Sequence, residues 1–140
     1  MSAQSIAAPQ AGLANHAGLV LAGRVLLSLI FILAGFGKLT AIGSTAAWFG
    51  SLGLPFPTVV TVLVGLLELG AGLAVLTGFQ TRGAAIALAV FTLAATALAH
   101  LDFSDQVQVL MLEKNLAITG GLLLLAAFGA GALSLDARRG

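Results

Sequence analysis

The sequence predicts an all-α integral membrane protein, a four-helix bundle with both termini cytoplasmic and a short interfacial helix in the first outer loop. Three observations carry this reading. The 140-residue chain is 59% hydrophobic and 8% charged, with a mean hydropathy of +1.11. A soluble domain devotes about a quarter of its residues to charge, because water must solvate its surface. Six basic and five acidic side chains cannot cover a globule of this size, so lipid must cover most of it. Four apolar segments are each long enough to cross a bilayer as a helix, and the basic residues around them fall unevenly on the two sides.

Residues 1–18 read as an N-terminal tail. No Lys or Arg precedes the apolar stretch, so the tail lacks the pattern of a signal peptide and is expected to be retained. The first span, about 19–37, opens LVLAGRVLLSLIFILAGF, with Arg24 near its start and Lys38 just beyond its end. The loop TAIGSTAAWFGSLGLPFP follows. Within it Ser44 to Leu52 suits a short interfacial helix, Ser44 being a candidate cap and Trp48 and Phe49 amphipathic anchors. Gly53, Pro55 and Pro57 end that segment and start the next, since proline is tolerated at a helix start but not inside.

The second span, about 58–78, reads TVVTVLVGLLELGAGLAVLT and carries Glu68 near its middle. The loop from Gly78 to Arg82 is tight, so the second and third spans are expected to be antiparallel neighbours. The third span, about 83–100, is alanine-rich and ends at His100. The fourth, about 115–133, is apolar and glycine-rich, with Glu113, Lys114 and Asn115 at its opening, where Glu113 suits a helix N-terminus. Residues 136–140 form a short C-terminal tail, and 19–135 make a single transmembrane domain with no internal repeat.

The charges set the orientation. With the N-terminus inside, Arg82, Arg138 and Arg139 are cytoplasmic and Arg24 can snorkel toward that face. Lys38 and Lys114 are outside, with Asp102, Asp105 and Glu113. The basic excess favours both termini in the cytoplasm and predicts a multi-pass membrane protein. Small residues such as Gly65, Gly70, Gly72, Ala85, Ala89, Gly120 and Gly121 allow close helix approach, in a compact bundle, a homo-oligomer face, or both.

Composition also excludes chemistry. A net charge of +1 with no basic patch gives no case for nucleic-acid binding. Without cysteine there are no disulfides, thiol redox steps or cysteine-ligated clusters. His16 and His100 lie at opposite sides of the membrane, so neither a metal site nor bis-histidine haem is expected. No phosphate loop or serine-nucleophile motif occurs.

What remains is a set of costly polar residues. A carboxylate inside an apolar span must face a cavity, the bundle interior or a partner, which makes Glu68 a functional-site hypothesis. If spans one and two share a midplane, Arg24 lies roughly 7 to 8 Å from the depth of Glu68, a gap an arginine can bridge. Two readings stay open: a buried Arg24–Glu68 ion pair, or Glu68 as a proton-accepting or ligand-contacting group. His100 is either an interfacial hydrogen-bonder or a proton relay to the outside. Lys38 reads as a snorkelling interfacial lysine, and Arg82 with Asp136 as a boundary ion pair.

Several pieces occur in an order that resembles a known family. They are Arg24 with SLIFILAGFGKL ending at Lys38, GLLELGAGLAVLTGFQTR from Gly65 to Arg82, KNLAITGG from Lys114 to Gly121, and GALSLD ending at Asp136. The chain resembles the DoxX family of small four-span bacterial membrane proteins. That resemblance implies a four-helix bundle, and it matches Arg24, Lys38, Glu68, Arg82, Asn115 and Asp136 to the family's polar positions. It also implies a link to quinone-dependent redox systems. The expected function is then a membrane subunit of such a system, with quinone as the ligand and a redox protein as a partner in the bilayer. Glu68 and His100 would move protons, and Arg24, Lys38 and Asn115 would bind the quinone. The alternatives are a non-catalytic scaffold or assembly factor and, less favoured for lack of broken helices, a small-solute carrier.

Overall fold

A computed structural model describes the backbone of residues 4–140 and the side chains from His16 onward. The chain forms six helices and, among the described residues, no strand: α1 (Gln4–Thr40), α2 (Ile42–Ser51), α3 (Pro57–Thr77), α4 (Thr81–Ala99), α5 (Gln106–Phe128) and α6 (Leu135–Arg139). Four of them, taking α1 from His16, are long and apolar enough to cross a membrane. An even number of spans returns both ends of the chain to one side. The predicted tail differs: from Gln4 its backbone continues α1, while residues 1–3 lie outside the described ones.

The bundle is built on two tight pairs. Helix α1 packs along α3 and α4 along α5, α3 joins the pairs through α4, and α1 scarcely meets α5. The buried positions of α3 are Thr61, Gly65, Glu68, Gly72 and Val75, a single stripe at helical spacing. Arg24, Ser28, Phe31 and Gly35 make the matching stripe of α1. Large side chains such as Leu26, Leu33, Leu63 and Leu124 point outward. This is the arrangement expected where lipid replaces water outside and small residues let helix backbones approach.

Glycine sets the register between α1 and α3. A Cβ on Gly35 would stand 2.5 Å from the Leu69 nitrogen and 2.7 Å from the Gly65 carbonyl oxygen. A Cβ on Gly72 would stand 3.2 Å from the Ile32 nitrogen. Both contacts involve backbone, so α1 and α3 touch main chain to main chain at two levels.

The helix ends explain where sequence-based boundaries shift. Pro57 opens α3 as expected, after Phe56 in the left-handed region at φ 48°. Gly78 closes α3 at φ 73°, with Phe79 N–H donating to the Ala74 carbonyl, a C-terminal motif that favours glycine. Ser44 is not a cap: α2 starts two residues earlier, and the Ser44 hydroxyl donates back to the Ala41 carbonyl. The fourth span also differs. It begins at Gln106 because Asp105 accepts from Val107 N–H at 2.9 Å, and it ends at Phe128 because Gly129 and Gly131 take positive φ. Glu113, Lys114 and Asn115 therefore sit inside α5 rather than at its opening.

Candidate functional site

One end of the bundle is closed by Arg24. The residue is 2% exposed, and its guanidinium donates to four carbonyls. Nε and Nη2 reach Val75 and Leu76 at the end of α3, at 3.1 and 2.9 Å. Nη1 reaches Ala130 and Leu133 after α5, at 2.7 and 2.9 Å. A cation at the C-terminus of α3 meets carbonyls that lack helical partners and the negative end of the helix dipole. The expected Arg24–Glu68 ion pair therefore does not form, and Arg24 takes no part in the Glu68 site.

The reason is register. Contact of Gly35 with Gly65 and Leu69 places Glu68 level with Gly35. Arg24 lies eleven residues back along α1, about 16 Å away. Centring the two spans on one midplane underestimated that separation.

Asp136 completes the Arg24 end. Its two oxygens accept from the backbone N–H groups of Gln80 and Thr81, at 2.7 and 2.9 Å. It thus caps α4 from the far end of the chain, and Asp136 N–H in turn donates to the Gly78 carbonyl at 2.8 Å. The Thr81 and Gln80 amides, with the nearby Arg139 charge, hold the Asp136 carboxyl below the usual carboxylate range. The expected Arg82–Asp136 ion pair is replaced by this cap, since the α4 amides engage both carboxylate oxygens. Arg82 lies beside Gly129 instead.

At the opposite end Glu68 meets Lys38. Lys38 Nζ lies 2.8 Å from Glu68 Oε2, which makes this the one ion pair among the described residues. Lys38 is nearly one turn beyond Gly35, so its flexible stem runs back along α3 to the carboxylate. The ammonium is thus the partner of a carboxylate that the bundle otherwise buries among apolar side chains.

This pair lines a cavity of 390 Å³. The walls are mostly apolar, with Phe31, Phe49, Phe91 and Val64 among them, and Thr92, His100, Lys114, Asn115 and Trp48 complete the lining. Asn115 donates to the Thr96 hydroxyl at 2.9 Å, and that hydroxyl donates to the Thr92 carbonyl at 2.6 Å. His100 Nδ1 lies 2.6 Å from Gln108 Oε1, which orients the ring. Of the residues singled out from sequence, Glu68, Lys38, Asn115 and His100 come together here and Arg24 does not. Sequence reading missed Lys114, Thr92 and the part played by α2: Phe49 is buried and Trp48 joins it on the cavity wall. An apolar aromatic next to an interfacial tryptophan was the available signal.

An apolar enclosure of this size with a few convergent polar groups is the usual form of a small-molecule site. No group of three or more His, Cys, Asp or Glu among the described residues is placed to hold a metal ion.

The chain is similar to known membrane proteins. The family model DoxX matches residues 19–101. The inner membrane protein YqjF of Escherichia coli K12 is 46% identical over 117 residues, covering 84% of this chain and 88% of that protein. The inner membrane protein YphA of the same organism is 35% identical over 125 residues, covering 86% and 89%. No solved structure matches.

Proposed function

We propose, from the premise that this chain belongs to the DoxX family and is a multi-pass inner-membrane protein, that it serves as the quinone-binding membrane subunit of a redox system. The observation that carries the proposal is a buried carboxylate paired with a single ammonium in the wall of a largely apolar cavity. A quinone headgroup presents carbonyl oxygens on an apolar ring and needs apolar walls, a donor and a proton-handling group.

Lys38 donates to one headgroup oxygen and stabilises negative charge there. Glu68 accepts or returns a proton at the same place, and His100, nearer the end of α4, passes protons to and from the aqueous side. Asn115 and Lys114 orient the second polar edge. Electrons come from a partner redox protein, because the chain has no cysteine and no metal-ligand cluster among its described residues. The Lys38 end faces the periplasm in this reading, in line with the loop charges.

The test uses Trp48, the one tryptophan of the chain, which lines the cavity. Titrating the full-length protein in nanodiscs with a short-tailed ubiquinone analogue should quench Trp48 fluorescence saturably, and Glu68→Gln should weaken the binding. Quenching that rises linearly without saturation, as from quinone dissolved in lipid, would overturn the proposal.

A scaffold role has its own support. The Lys38–Glu68 pair ties α1 to α3 beside the Gly35 contact, so it also serves packing. On that reading Glu68→Gln lowers bundle stability and partner association in proportion, with no saturable quenching in the parent protein.

A further inference from the structure

A second apolar space adjoins the cavity. Ile30 of α1 and Ile118 of α5 line the cavity, and the same two residues line the second space, a 640 Å³ groove between α1 and α5. The groove exists because these two helices scarcely meet. It runs past Leu27, Gly23 and Gly121 to Val20, and from Ile30 to Val20 it extends about 15 Å along the helix axis. A Cβ on Gly23 would find nothing within 4 Å, so the groove is open at that level. Its far end is chemically quiet, since Arg24, which borders it, directs its donors to backbone carbonyls.

We infer that the ligand is a long-chain amphiphile whose polar head lies at the Lys38–Glu68 pair and whose apolar tail passes between Ile30 and Ile118 into the α1–α5 groove. The inference rests on the proposed headgroup site and specifies its ligand class. A chain that already resides in the bilayer can reach the head site sideways through this seam without crossing an aqueous phase. On this inference the tail crosses at the two isoleucines that border both spaces.

The head's preference and the tail's preference can be separated. Quinones with no tail, a decyl tail and a long isoprenoid tail are titrated against Trp48 fluorescence in nanodiscs, at matched mole fractions in the lipid. A tail leaving lipid gains packing rather than hydrophobic transfer, so its advantage should be modest, about fivefold to tenfold. Gly23→Leu adds bulk to the groove away from the head site, at a position whose Cβ meets nothing within 4 Å. It should reduce the tailed ligands to the affinity of the tail-less one and leave the tail-less one unchanged. A decyl quinone with a terminal diazirine should label residues bordering the groove, around 20–27 and 117–125. Equal affinity at all tail lengths, an equal loss for tail-less ligand in Gly23→Leu, or labelling spread over the lipid-facing leucines would overturn the inference while leaving the headgroup reading intact. Absence of saturable binding by every quinone would remove both.

Discussion

Lys38 at the end of α1 and Glu68 in the middle of α3 lie 2.8 Å apart, yet they are not equally sheltered, with side chains 21% and 6% exposed. The lysine can withdraw toward the interface and the glutamate cannot. The pair is therefore asymmetric in what each partner loses when the other is removed.

Lys38→Met should cost more stability than Glu68→Gln. The first strands a buried carboxylate, for which breaking a buried pair costs about 3–5 kcal/mol. The second leaves an ammonium that can snorkel to the headgroups, at a cost of about 1 kcal/mol or less. The double variant should recover part of the Lys38→Met loss. Unfolding titrations in mixed micelles give all three values, and equal losses for the two single variants would contradict the asymmetry.

Arg24 is expected to tolerate no substitution well. Lysine has one ammonium where the guanidinium spans four carbonyls on two segments, at Val75, Leu76, Ala130 and Leu133. Arg24→Lys should destabilise by about 2–3 kcal/mol, from charged hydrogen bonds lost to buried acceptors. Affinity of the folded fraction for a tail-less quinone should stay unchanged, because the Lys38 site lies at the other end. A ligand-binding defect in folded Arg24→Lys would refute the separation of the two ends.

Gly35 should be the least replaceable of the described glycines in α1. An added methyl meets backbone atoms of α3 and cannot be relieved by a rotamer change. Gly35→Ala should lower stability by about 1–3 kcal/mol and also disturb the Lys38–Glu68 approach. Gly37→Ala is the control, since nothing lies within 4 Å of its Cβ; it should be neutral or slightly stabilising through helix propensity. Thermal denaturation of the two variants side by side decides it.

Asp136 predicts an acid dependence. Its carboxyl is held below the ordinary value by the Thr81 and Gln80 amides. The cap therefore contributes fully above the unfolded-state value near 3.9 and is lost as pH falls below it through the folded value. Asp136→Ala should lose about 1 kcal/mol at neutral pH, the usual worth of a cap. The gap between parent and variant should close below about pH 4. A gap that persists unchanged at pH 3 would rule out the cap as its source.

Much of this protein was legible without coordinates. Hydropathy and span length determine the four membrane helices, because a backbone in lipid must bond to itself. Pro57 and Gly78 mark the ends of α3 for equally local reasons. The polar residues Lys38, Glu68, His100 and Asn115 stand out because each is costly in its place. Which of them meet was not legible. Span-centred depth paired Glu68 with Arg24, whereas backbone contact through Gly35 and Gly65 slides α1 along α3 and delivers Lys38 to Glu68 instead. Asp136 caps α4 across more than fifty residues of sequence, and no local pattern encodes that. The sequence by itself determined the membrane-spanning elements, since their energetics are local to each segment. Only the tertiary structure decided the partners, because register between helices depends on where two backbones first touch.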